Sequence, residues 1–117
     1  MPHLVIEHFP EIDGTTLCRV ALDVAARSGI MRREDIKVRT QCAGTVLLGD
    51  GRSSFLHVTV SLLAGREDAA KLALSDALVC ALRDAFPDIE AISADIRDMD
   101  PYCYRKSLTS EPGGTAA

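Results

Sequence analysis

No stripe of Lys and Arg runs through this sequence: 13 basic residues are scattered against 17 acidic ones, for a formal net charge of −4. The positive footprint that a phosphate backbone requires is missing, so nucleic acid is not an expected partner. Long apolar runs are missing too. Stretches such as Val58 to Ala64 fall far short of the roughly 20 residues that a spanning helix needs, so no membrane segment is expected. No basic segment leads into an apolar run at the start, and the expected location is the cytoplasm. The four cysteines, Cys18, Cys42, Cys80 and Cys103, include no pair at the separation of about two to four residues that lets two thiolates reach one zinc ion, so no metal site is expected. They read as reduced, with Cys18 and Cys80 as small core residues.

What is present describes a folding chain. Of 117 residues, 47% are hydrophobic and 26% charged, a globular balance, and the length suits one domain spanning 1–117. Residues 3–7 place Leu4 and Ile6 on one strand face and His3, Val5 and Glu7 on the other. After turn material at 10–14, a helix is expected to start with Thr15 as cap, to bury Leu17, Val20, Ala21, Val24 and Ala25, and to stop at Gly29. Residues 36–42 alternate strictly, with Ile36, Val38, Thr40 and Cys42 opposite Lys37, Arg39 and Gln41. Gly49-Asp50-Gly51 marks a turn. A strand follows over 54–63, with Leu56, Val58, Val60 and Leu62 on its apolar face. Residues 67–86 read as a helix with Leu74, Leu78, Leu82 and Ala85 along its stripe, stopped by Pro87. The last strand is expected over 89–97, through Ile92, Ala94 and Ile96. From about Ser107 the composition predicts a disordered tail.

The order strand, helix, strand then repeats. It predicts an α/β (α+β) fold in which two consecutive βαβ units form a four-stranded sheet with two helices on one face. The other face stays uncovered in a monomer and carries apolar residues on several strands, so a homo-oligomer is expected.

Pro2 offers chemistry once Met1 is removed, because the chain then begins with a secondary amine at the tip of a strand. A terminal amine titrates at about 7.7–8.0 in model peptides, and burial beside cations lowers that value by disfavouring the charged form. A neutral amine near pH 7 is a competent general base, and the pyrrolidine ring holds its lone pair in direction.

Three blocks in series, Met1-Pro2-His3-Leu4-Val5-Ile6-Glu7, Gly29-Ile30 with Ile36-Lys37-Val38-Arg39, and His57-Val58-Thr59-Val60-Ser61-Leu62-Leu63-Ala64-Gly65-Arg66, resemble the 5-carboxymethyl-2-hydroxymuconate Δ-isomerase family of the tautomerase superfamily. That family acts in bacterial breakdown of homoprotocatechuate. The resemblance implies a tautomerase-like homotrimer and a cofactor-independent isomerase that moves a proton on an unsaturated dicarboxylate, with Pro2 as the catalytic base. It also implies that Arg39 and Arg66 bind the substrate. Two guanidinium forks can fix a dianion at both ends and stabilise charge as it moves into a dienolate. His3 and His57, each opposite an apolar strand face, are further candidates for lining the pocket, with a structural or oligomer contact as the alternative. The segment 42–50 lacks the aromatic residues found there in the family, and Tyr102 and Tyr104 stand in a tail that matches it loosely. Two rivals are another proline-dependent reaction of the superfamily, such as hydration, dehalogenation or decarboxylation, and a non-catalytic trimeric binding protein.

Overall fold

A computed structural model describes residues 2–110. Met1 and residues 111–117, which hold much of the tail expected to be disordered, lie outside the described residues; residues 107–110 carry no helix or strand. The elements run β1 (His3–Phe9), α1 (Gly14–Arg27), a single 3-10 turn (Arg33–Asp35), β2 (Lys37–Cys42), β3 (Phe55–Leu63), α2 (Asp68–Ala85) and β4 (Ala91–Met99). One sheet results, in the order β2-β1-β3-β4. β1 pairs parallel with β2, β3 pairs parallel with β4, and β1 meets β3 antiparallel with Ile6 opposite Val58. The two βαβ halves that the repeated pattern predicts are thereby joined through their first strands.

The period of two along the strands decides which side is buried. Leu4, Ile6, Leu56, Val58 and Val60 are wholly inaccessible and form one core with Leu17, Ala21 and Ala25 of α1 and Leu74, Leu78 and Leu82 of α2. Both helices therefore cover the same face, and burying these leucines, isoleucines and valines supplies most of the driving force at about 1.5–3 kcal/mol each. His8 shares that face and is 3% exposed; its Nδ1 meets the Pro10 carbonyl at 3.0 Å, which compensates for burying the ring.

Several expectations shift. The helix cap is Asp13, not Thr15: its carboxylate accepts from the Thr15 and Thr16 amides at 3.0 and 3.3 Å and from the Thr16 hydroxyl at 2.8 Å. These bonds hold the Asp13 carboxyl below its ordinary range, because they favour its charged form. The last strand starts and ends two residues later than expected, since the Ile89 amide is spent on Phe86 in a turn. Ala85 is exposed, and Ala81 and Phe86 pack against the core instead. Cys80, two residues past Leu78, points away from the core and is exposed, whereas Cys18 is half-buried, with its thiol pushed up by burial. The uncovered sheet face does carry apolar residues on several strands, but beside charged ones. Val5, Phe9, Phe55, Leu63 and Met99 share it with Lys37, Arg39, Glu7, His57, Asp95 and Arg97.

Candidate active site

Pro2 lies buried just ahead of β1, and its carbonyl accepts from the Lys37 amide at 3.0 Å, which fixes the chain start against β2. Beside it opens a cavity of about 530 Å³ lined by Pro2, Gly29, Ile30, Leu63, Arg66 and Lys106 together with Met31, Arg32 and Asp35. This volume falls within the roughly 300–1,000 Å³ of ordinary small-molecule sites.

Local backbone chemistry brings these residues together. α1 ends where Ser28 folds its hydroxyl onto the Ala25 carbonyl at 2.6 Å, and Gly29 takes φ +82°, a left-handed conformation that costs glycine nothing and releases the chain from the helix. At the end of β3, Gly65 at φ +127° turns the chain again, so Arg66 folds back. Its Nε and Nη2 both donate to the Ile30 carbonyl, at 3.3 and 2.9 Å, and its Nη1 donates to Leu63 at 2.9 Å. A guanidinium has five N–H groups, so after these three bonds Arg66 keeps two for a ligand, from a side chain whose orientation is already set. The preset fork loses little further freedom on meeting a carboxylate.

The other candidates lie elsewhere. Arg39 is exposed on edge strand β2 and does not line the cavity; its Nη1 donates to His3 Nδ1 at 3.2 Å. With Nδ1 accepting, the His3 proton sits on Nε2, 3.2 Å from the Tyr104 hydroxyl. Burial first, then the charges of Arg39 and Lys37, lower the His3 pKa from its ordinary 6.5, so the neutral form that this geometry needs is the favoured one. His57 faces the uncovered side of β3, where its Nδ1 meets Ser93 Oγ at 2.6 Å, away from the Pro2 cavity. Of the five candidates, the cavity thus gathers Pro2 and Arg66; His3 and Arg39 flank it through a hydrogen-bonded chain, and His57 is separate.

Two lining cations had no local signal in the sequence. Arg32 reaches Asp35 at 3.3 Å and Glu34 at 3.6 Å, which offsets the one lining carboxylate, Asp35. Lys106 arrives from the far end of the chain.

The model of the 5-carboxymethyl-2-hydroxymuconate isomerase family matches residues 2–106, a span that takes in Pro2, the Ile30 turn, Arg66 and Lys106. The chain belongs to this family. It is an isomerase of the tautomerase superfamily. Among solved structures, a 5-carboxymethyl-2-hydroxymuconate isomerase from Deinococcus radiodurans R1 is 26% identical, with TM-score 0.78 over 92% of this chain and 90% of that one. A 5-carboxymethyl-2-hydroxymuconate delta-isomerase is similar in fold at 16% identity, with TM-score 0.73 over 93% and 89% of the two chains. A fused 4-OT wild-type symmetric trimer shares the fold at 21% identity, with TM-score 0.71 over 84% and 85%. No curated protein matches the chain in sequence. Among the described residues no helix is long and apolar enough to cross a membrane.

Proposed function

We propose that this isomerase acts on 5-carboxymethyl-2-hydroxymuconate or a closely similar 2-hydroxymuconate dicarboxylate, converting the enol to the 2-oxo isomer in aromatic catabolism. The observation that carries this reading is the shared cavity of Pro2 and Arg66, which sets a potential base beside a preset carboxylate fork. Removal of Met1 turns the Pro2 nitrogen from an amide into a secondary amine. Burial and the neighbouring cations favour its neutral form, so it can act as a base near pH 7.

In the reaction the Pro2 nitrogen takes the proton of the substrate 2-hydroxyl. The O–H electrons become the new C=O bond, and charge spreads along the conjugated chain to a distant carbon. That carbon takes the proton back from Pro2, so no atom is gained or lost. Arg66 holds one carboxylate, and orientation of this kind can supply on the order of 7–11 kcal/mol. Arg39 acts from outside the cavity, through His3. No cofactor takes part in this scheme.

The working form we assign is a homotrimer. Fold relatives described as trimers support it, as do the uncovered sheet face and Leu47, which is 97% exposed on the segment between β2 and β3. Light scattering giving a monomer would remove that assignment.

The test begins with mass spectrometry of the mature chain, where loss of Met1 is expected. Ketonisation of 5-carboxymethyl-2-hydroxymuconate, followed by its ultraviolet absorbance, should then fall by about 10²- to 10⁴-fold in Pro2→Ala with the melting temperature nearly unchanged. Unaltered turnover in that variant would end the proton-transfer reading.

A further inference from the structure

We propose that Lys106 is the second cationic contact for a dicarboxylate in the Pro2 cavity, carried there by residues 100–106, a strap clasped to the start of β1 by Tyr104 and His3. This rests on the reading of Pro2 and Arg66 above and deepens it by naming what holds the far carboxylate.

A two-ended substrate needs a second positive group inside the cavity, and within one protomer the arginine expected for that end, Arg39, is turned to His3 instead. Two lining cations besides Arg66 remain. The charge of Arg32 is met by Asp35 and Glu34, so a substrate carboxylate would have to compete with two carboxylates already in place. Lys106 has no ion-pair partner among the described residues. An ammonium on a flexible stem is also suited to a carboxylate whose position shifts as the carbon chain changes from enol to ketone, whereas the pinned fork of Arg66 suits the end that stays still.

The strap has its own structure. After β4 the Asp100 carbonyl accepts from the Cys103 and Tyr104 amides at 3.1 and 3.0 Å, and the Asp100 carboxylate accepts from the Tyr102 amide at 2.9 Å. The chain reverses there. Tyr104 is then half-buried between exposed neighbours, its ring edge-on to His3 with centroids 6.2 Å apart and its hydroxyl 3.2 Å from His3 Nε2. Two residues further on, a span of at most about 7 Å, the chain delivers Lys106 to the cavity wall. Arg39, His3 and Tyr104 thus form one hydrogen-bonded row that holds the strap down next to Pro2.

The experiment compares wild type, Lys106→Ala, Lys106→Arg and Tyr104→Phe on 2-hydroxymuconate, a diacid, and on a 2-hydroxydienoate lacking the distal carboxylate. For the diacid, Lys106→Ala should lower kcat/KM by about 10- to 100-fold, chiefly through KM, while turnover of the mono-acid stays within about twofold of wild type. Lys106→Arg should restore most of the loss. Tyr104→Phe should raise KM for the diacid by a smaller factor and add nothing in the Lys106→Ala background, since both changes act on one contact. Equal discrimination between diacid and mono-acid in wild type and Lys106→Ala overturns the proposal. Calorimetry with adipate, an unreactive dicarboxylate, keeps this outcome separate from a failure of the proposed reaction. If wild type turns over no hydroxymuconate yet binds adipate at least about tenfold tighter than Lys106→Ala does, the Lys106 contact stands and the reaction falls. Equal adipate affinity removes the contact.

Discussion

Each βαβ half begins the same way. The first strand offers the carbonyl of the residue before it to the amide at the start of its parallel partner, Pro2 to Lys37 at 3.0 Å in one half and Ser54 to Ala91 at 3.2 Å in the other. From there the two ends of the sheet diverge. At the Ser54 end the chain supplies its own carboxylate: Glu90 accepts from the Ser53 amide and hydroxyl, both at 2.9 Å, and from the Ser54 hydroxyl at 3.5 Å. The Ser53 amide bond leads in holding the Glu90 carboxyl below its ordinary range. Arg83 spends its guanidinium on the carbonyls of Pro87, Ile89 and Glu90. At the Pro2 end the arginine, Arg66, likewise clasps backbone carbonyls, but the cavity there keeps N–H groups and an ammonium in reserve. One end of the repeated unit is closed by an internal anion, and the other keeps unused donors beside an open cavity. Closure contributes rigidity; the open end gives up those contacts in exchange for a place to bind.

Substitutions should therefore separate the two ends. The largest effect belongs to the open end, where Arg66→Ala should lower kcat/KM by about a hundredfold while the core helices melt close to the wild-type temperature. A variant that lost folding and activity in parallel would make Arg66 as structural as Arg83. At the closed end, Ser54→Ala removes a hydroxyl that accepts from the Glu90 amide at 2.8 Å in a position only 8% exposed. It should cost about 1–2 kcal/mol of stability in urea unfolding and leave KM unchanged, and a shift in KM would show the two ends to be coupled. The smallest effect is a pH response of the clasp. The groups facing His3 are Arg39 and Lys37 on β2, Ser61 on β3 and Tyr104 on the strap. Because the folded-state pKa of His3 is lowered, the unfolded chain binds more protons below the ordinary value of 6.5. The stability contributed by neutral His3 is thus complete above that value and is lost as pH falls through it. The melting temperature should drop slightly more between about pH 7.5 and about pH 5.5 in wild type than in His3→Asn, and identical drops would separate the clasp from this titration.

Much of this architecture was legible in the sequence because it rests on period. Alternation through Leu56, Val58, Val60 and Leu62 and helical spacing through Leu74, Leu78 and Leu82 fix which sides face inward, and those sides form the observed core. Boundaries were less legible where side chains compete with the backbone: Asp13 takes the cap from Thr15, and the turn at Ile89 delays β4. In the candidate site, Pro2 and Arg66 could be picked out because a proline following Met1 and a strand-end arginine fit the family pattern. The direction of Arg39 could not, since it depends on a histidine 36 residues away. Lys106 depends on a contact between residues 101 positions apart, and no local pattern encodes that.

The walls of the hollow come from residues 2, 29–32, 35, 63, 66 and 106, segments up to about a hundred positions apart. A chain cut just before residue 106 keeps both helices and all four strands and yet lacks one wall of that hollow. Ligand binding would register such a cut, to which helix content is blind.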